Sequence, residues 1–503
     1  MLRKPLLMFS FVFVLLAAVV SVGLAQPVTL TVAQGADPVT LDPHGQNDQP
    51  SARVRVQIFE TLVNHDANLE IVPGLARSWE QIDETTWEFK LQENVTFHNG
   101  DPFTANDVTY SFERIKTLPS PAAYLIEVVT DVEVVDDYTV RLKLEYPFAP
   151  ILAHLAHPSN AIVNQRSVEE AGDNFGSSVA VGTGPFIFED WVSGSHVELS
   201  KNVDYWGEPA KVDRLIIRSI PENTVRAIEL ETGGADIVYN VAPMDELRLA
   251  GTPGIKLDKY EALSTTYVGF NVQKAPFDNV LVRQAINYAL DVEAAVDYIY
   301  TGQAAQIPGP LPPRVWGFDP DLEGYDFDIE KAKALLAEAG YPDGFKTTIW
   351  TNDNPTRMEV AELFQANLAE IGIDVDIQII PWATYLADTA AGKHDMFILG
   401  WGTVTADADY GLYALFHSSQ IGDPGNRSFY ANDRVDELLD LGRRETDVEK
   451  RRAIYSEVQK LIIEEAPWAF LLVTSEVNGM QENIEGFVPH PAGHHKLASV
   501  YKK

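Results

Sequence analysis

Gly182-Thr183-Gly184-Pro185-Phe186, followed at a short distance by Asn202-Val203-Asp204-Tyr205-Trp206-Gly207, is the stretch from which the rest of the chain can be read. Two glycines tolerate backbone angles that other residues avoid, and the proline sets the direction in which the chain leaves the turn. Phe186-Ile187-Phe188 can then enter a buried strand. Val197 and Leu199 alternate with His196, Glu198 and Ser200, the pattern of a half-exposed strand. A strand pair behind a glycine turn is the minimal expectation.

The elements around it alternate between the two periods. Trp87, Phe89 and Leu91 alternate with Glu88 and Lys90; Val140, Leu142 and Leu144 alternate with Arg141 and Lys143. Val95 and Phe97 start a further strand, ended by the turn His98-Asn99-Gly100-Asp101. Thr104 and Asp107 form a capping pair for a helix with Val108, Phe112 and Ile115 on one face. A helix is expected over 279–291, and another from an Asp328 cap to Gly340. Residues 345–351 read as a strand. A helix carrying Val360, Leu363, Phe364, Leu368 and Ile371 follows, and then Ile373, Val375, Ile377 and Ile379 alternate with polar residues. Strand, helix and strand in that order predict a parallel pair with a right-handed crossover, and an open α/β sheet that holds ligands outside its strand ends.

Length and composition bound the possibilities. At 503 residues, 46% hydrophobic and 22% charged, the chain is globular and has room for about three domains. A formal charge of −35 repels phosphate backbones and argues against a nucleic-acid partner, while leaving the charge of a small ligand open. The absence of cysteine excludes disulfides, thiolate zinc sites, a cysteine nucleophile and a lipid anchor on an N-terminal cysteine. Arg3 and Lys4, the apolar residues 6–20 and the small-residue exit Gly23-Leu24-Ala25 read as a signal peptide cleaved after Ala25. The competing reading is an uncleaved anchor, since residues 6–25 approach the ~20 residues of a membrane helix. HExxH, GxSxG, Walker A and GxGxxG motifs are all missing, so no enzyme class and no cofactor is indicated.

In order along the chain stand Thr40-Leu41-Asp42-Pro43-His44, Phe59-Glu60-Thr61-Leu62-Val63, Pro73-Gly74-Leu75-Ala76-Arg77-Ser78-Trp79-Glu80, residues 95–108 (VTFHNGDPFTANDV), the GTGPF and NVDYWG segments, Gly269-Phe270-Asn271, residues 282–291 (VRQAINYALD) and residues 332–340 (AKALLAEAG). Each is weak alone. Together, over essentially the whole chain after residue 25, they resemble the extracytoplasmic solute-binding proteins of ABC importers, in the subfamily that binds peptides, nickel complexes, glutathione and some sugars. The resemblance implies a class II periplasmic binding protein: two lobes joined by a hinge, plus an inserted domain. Lobe I is expected over residues 26–48, 175–268 and 470–503, the insert over 49–174 and lobe II over 269–469. It also implies a periplasmic monomer that does no covalent chemistry and passes its solute to the transmembrane subunits of a permease with cytoplasmic ATPases.

The resemblance places the solute near residues 399–410 (LGWGTVTADADY), where Trp401 is expected to contact it. In peptide-binding relatives, a strand after the Gly-Trp pair bonds the ligand's main chain, and an aspartate three residues beyond the tryptophan holds the ammonium. Here that position is Val404. A buried ammonium without its counter-charge costs ~3–5 kcal/mol, roughly two to three decades of affinity. Either Asp407 or Asp409 takes over, or the ligand carries no ammonium there; both could equally be a helix start. Trp401 to Asp409, with Leu415-Phe416 and Phe429-Tyr430-Ala431-Asn432, looks like the glutathione- and oligopeptide-binding branch. Asn426 and Arg427 would then meet a carboxylate, Arg in bidentate fashion. Thr183 and Gly184 line the cleft or build a hinge turn, and Gln46 and Asn47, just past the first strand, are further candidates for ligand contact. His490, His494 and His495 read as a solvated tail and His417 as structural, leaving no metal site. An oligosaccharide or a nickel chelate remains an alternative ligand, and an exported hydrolase the alternative function.

Overall fold

Two long antiparallel strands, Ile255–Phe270 and Trp468–Gln481, form the spine of the molecule. The computed structural model describes residues 27–423 and 425–503, so the expected signal peptide lies outside the described residues. Among the described residues the main sheet has 11 strands. From one edge it runs Asp374–Ile380, Lys346–Asn352, Met396–Gly402 and Ile255–Phe270. It continues through Trp468–Gln481, Ile237–Val238, Thr29–Gln34, Arg214–Ser219 and His196–Lys201 to Phe186–Val192, with Ala304–Gln306 paired on Trp468–Gln481. A separate four-stranded sheet is built from Ala76–Asp83, Thr86–Leu91, Thr139–Leu144 and Val129–Asp136.

The spine changes partner along its length. Residues 264–270 pair with Met396–Gly402, and the register on Trp468–Gln481 slips between Glu261 and Thr265. Such an irregularity bends a strand and increases its twist. Separate hydrophobic cores lie on either side of it. One gathers Leu30, Val32, Val54, Ile58, Leu215, Ile217 and Ile237; the other gathers Val282, Ile286, Phe364, Leu368 and Ile398. A third core, with Phe89, Phe112 and Leu142, continues from the four-stranded sheet to Leu412, Phe416 and Trp468. The expected strand–helix–strand unit is present as Lys346–Asn352, Pro355–Glu370 and Asp374–Ile380, with the strands parallel. Its helix is capped by Asn354, whose side chain accepts from the Arg357 N–H. Asn279 and Asp328 cap their helices in the same way. Asp107 accepts from the Thr104 N–H at 2.9 Å, closing the expected capping pair.

The opening motif works differently from its expectation. Neither Gly182 nor Gly184 sits in the left-handed region; what each supplies is space. A Cβ on Gly182 would lie 2.1 Å from the Ile58 carbonyl oxygen, and one on Gly184 2.7 Å from those of Gln57 and Ile58. Phe186–Val192 is an edge strand that buries Phe186 alone. Val95 and Phe97 are buried, but their segment makes only a single bridge, Thr96 to Pro102. The two halves of the motif meet on Glu60: the Thr183 hydroxyl, the Tyr205 hydroxyl and the Trp206 indole N–H each donate to its carboxylate at 2.8 Å. Desolvation raises the Glu60 pKa, and these three donors oppose the rise.

Candidate functional site

A cavity of about 340 Å³ lies where the two halves of the main sheet meet, beside the slip in the spine. That is at the lower end of the range for small-molecule sites, roughly 300–1,000 Å³. One wall comes from the segment around Asn47 to Arg53 and from Asn223 to Pro243; the other comes from Asn352 to Arg357, Trp382 and Leu399 to Val404. The spine supplies the floor through Thr265, Thr266, Ser475 and Glu476.

The strand Met396–Gly402 gives the second wall its chemistry. One edge pairs with Ser264–Phe270 along its full length. The other pairs with Lys346–Asn352 only at Met396 and Phe397. Among the described residues no strand covers that second edge from Leu399 to Gly402, so it can accept an extended chain. Trp401 is 8% exposed, stacks on Tyr410 at 5.0 Å and lines the cavity. Its indole nitrogen and the Thr265 hydroxyl are buried with no hydrogen-bond partner among the described residues. Unsatisfied donors on a cavity wall are positions for ligand acceptors.

Arg357 stands at the start of helix Pro355–Glu370. It donates to Asn352 Oδ1 at 2.9 Å, and its guanidinium lies 5.7 Å from the centre of the Trp382 ring. A cation in the first turn opposes the helix dipole, an arrangement relieved by an anion placed beside it. On the opposite wall Arg53 donates to Asn240 Oδ1 at 2.7 Å. Asp48, which caps helix Gln49–Ile58, lines the cavity too; burial raises its pKa, with Arg55 opposing. The walls touch where Asn223 Nδ2 donates to Thr356 Oγ1 at 3.2 Å.

Of the residues expected from the sequence, Trp401, Asn47 and Arg427 line this cavity. Arg427 also holds Asp423 at 2.7 Å. Asp407 instead caps helix Ala408–Phe416 and is bound by both terminal nitrogens of Arg451, at 2.7 and 2.6 Å. Asp409 is 0% exposed, with His154 Nε2 at 2.8 Å and Arg443 Nε at 3.2 Å. Burial pushes its pKa up, Arg443 and His154 pull it down, and the net shift is downward. Both carboxylates are thus tied into internal pairs away from the cavity lining. Asn426 is fully buried and holds its own loop, donating to the carbonyls of His417 and Tyr430. Thr183 and Gly184 belong to the Glu60 cluster and the close approach to Gln57–Ile58. The Gln46 side chain accepts from the Asn47 N–H, and its carbonyl accepts from Arg55.

The histidine tail is a correction. His495 is 1% exposed and its Nδ1 accepts from the His490 N–H, while His494 lines the cavity; burial pushes the pKa of all three histidines down. His417 caps the turn after it, accepting from the Ser419 N–H. Arg53, Arg226, Arg357, Asp48 and Glu476 were not singled out from the sequence. Only Arg357 left a trace there, as a cation just inside an Asn-Pro helix start.

A cleft between two halves of one sheet, crossed by two continuous strands, defines a two-lobed binding protein of the periplasmic type. A model of the bacterial extracellular solute-binding proteins, family 5, matches residues 70–423, and the chain belongs to that family. It is 33% identical to heme-binding protein A of Haemophilus influenzae, over 88% of this chain and 86% of that one. It is 32% identical to the glutathione-binding protein GsiB of Salmonella typhimurium, over 91% of each. Among solved structures, the periplasmic binding protein DppA of Helicobacter pylori, in complex with the peptide STSA, superposes with a TM-score of 0.88 at 34% identity, covering 95% of this chain and 98% of that one. These relatives are solute-binding proteins rather than enzymes. Among the described residues no helix is long and apolar enough to cross a membrane.

Proposed function

We propose that this protein is the periplasmic receptor of an ABC importer for a short peptide or a peptide-like acid such as glutathione, handed on to the permease subunits and their cytoplasmic ATPases. The observation that carries this reading is the uncovered edge of Leu399–Gly402 beside Arg357 on one cavity wall. An extended ligand adds its main chain to that edge, and Arg357 takes its carboxylate through two parallel hydrogen bonds. With Asp407 and Asp409 paired internally, a ligand ammonium goes to Glu476 or Asp48, the carboxylates that line the cavity. Nothing in this arrangement supplies an activated nucleophile, so the role is capture rather than catalysis.

Lobe I (26–48, 175–268 and 470–503) and lobe II (269–469) then close about the spine strands, with 49–174 inserted. Only the closed form lets a ligand touch both walls, which is what shifts the population. The test is a melting-shift screen of di- to pentapeptides, glutathione, oligosaccharides and nickel chelates. A ligand at 100 times its Kd stabilises the protein by ~2.7 kcal/mol. Shifts with peptides are expected. Shifts confined to a sugar or a chelate would replace the peptide reading, and turnover of any ligand would replace the receptor role.

A further inference from the structure

The charges around the cavity do not balance. Arg53, Arg226, Arg357 and Arg427 line it against two carboxylates, Asp48 and Glu476. In a chain with a formal charge of −35, a cationic cavity runs against the bulk composition. Arg357, on the second wall, serves a ligand carboxylate on the reading above, and Arg427 has Asp423.

The first wall carries its own pair of cations. Arg53 is 5% exposed; besides Asn240 it donates to the Gly493 carbonyl at 3.2 Å. Its nearest carboxylate, Glu476, stands at 3.8 Å and also accepts from the Tyr260 hydroxyl. Arg226 is 3% exposed and donates to the carbonyls of Ile220 and Pro221 and to Asn223 Oδ1, at 2.6, 2.7 and 2.6 Å. Among the described residues it has no salt bridge. Burial, with the charge of Arg53 adding to it, lowers its pKa to about 10. Two guanidiniums nearly out of water thus have a single ion pair between them, the 3.8 Å one from Arg53 to Glu476, while Asp245 and Glu222 act on Arg226 without forming an ion pair with it. An incompletely balanced buried cation is unfavourable, and an anion entering beside it relieves the penalty.

Resting on the reading of this site as a receptor for peptide-like solutes, we infer that the Arg53 wall is a second anion subsite, and that the solute carries two carboxylates and at most one ammonium. The class is an acidic peptide or a peptide-like dicarboxylate. Arg53 makes the contact. Arg226, locked by carbonyls, is a positioning residue that supplies charge from behind it.

Matched pairs test this, because each pair differs only in one charge. Calorimetric titration of ligand-free protein would compare Ala-Glu with Ala-Gln, the corresponding tripeptides, and a non-peptide series of N-carboxyalkyl amino acids with their monoamides. The carboxylate member is expected to bind at least tenfold more tightly. Arg53→Met should reduce that preference below threefold, and Arg53→Lys should keep most of it. A wild-type protein that binds amide and carboxylate within twofold overturns the subsite without any variant having to fold. Binding confined to the non-peptide series, with the carboxylate preferred, leaves the subsite standing and removes the peptide reading; binding confined to peptides, neutral and acidic alike, does the reverse. No binding in either series overturns both.

Discussion

Two regions of the molecule hold charges out of water, and they do so in opposite ways. Around helix Ala408–Phe416 each carboxylate has a cation to match: Asp407 meets Arg451 in bidentate fashion, and Asp409 sits between Arg443 and His154. Arg443 also reaches Glu127 at 2.7 Å, tying this helix to the segment that precedes the four-stranded sheet's strand Val129–Asp136. Elsewhere, the cavity walls hold Arg53, Arg226 and Arg357 against the carboxylates of Asp48 and Glu476, with Glu476 3.8 Å from Arg53. Charges that complete each other inside the chain hold the fold together; charges left in excess around a cavity are available to a solute.

The largest test of that contrast is Asp409→Ala. It leaves the buried Arg443 with only the half-exposed Glu127 as counter-charge, takes the carboxylate from His154 Nε2, and should destabilise the protein by about 3–5 kcal/mol. Denaturant unfolding at neutral pH checks it; a loss below 1 kcal/mol would make the junction as dispensable as a surface pair. Acid probes the same group. Its folded pKa lies below the ordinary 3.8, so its contribution is complete above that value and drains away as the pH falls below it. Unfolding free energies measured from pH 6 to pH 2 should therefore fall less steeply below pH 4 in Asp409→Asn than in the parent; parallel curves would remove Asp409 from the acid response.

On the cavity side, Arg357→Ala should behave in the reverse sense. A hydrogen-bonded charged contact contributes about 1.5–3 kcal/mol, so the Kd for the best ligand should rise roughly 10- to 150-fold. The melting temperature of the ligand-free protein should move little. A variant that loses stability and keeps affinity would transfer Arg357 to the structural class. The smallest effect belongs to the contact between the walls. Thr356→Val removes the acceptor for Asn223 Nδ2 and leaves the Asn223–Arg226 bond in place. Apparent affinity should drop roughly two- to tenfold, with a larger radius of gyration in ligand-free solution scattering. Unchanged scattering and affinity would mean that this bond does not favour the closed form.

Much of the fold was legible because its signals are local. The Asp328 cap, the Thr104–Asp107 capping pair and the alternation in 373–379 each depend on a few neighbouring residues. Glycines 182 and 184 were not legible in that way, because the room they leave is for the Gln57 and Ile58 carbonyls, more than 120 residues earlier. Tryptophan 401 could be found because its motif is contiguous. Asp407 and Asp409 illustrate the limit. Their sequence neighbourhood is the same whether they face a solute or a buried arginine, and Arg443 and Arg451 stand 34 and 42 residues beyond Asp409. The histidines at 490–495 likewise read as a tail until the packing of the last segment against Arg53 and Gln57 enclosed them.

From its residues alone the chain determined its class: the alternation of strands and helices, and membership in a family of solute-binding proteins. Which charges serve the solute was decided only in three dimensions. Counter-charges are assigned by distance and by loss of water, and folding brings residues 53, 226, 357 and 476 around one space from stretches hundreds of residues apart.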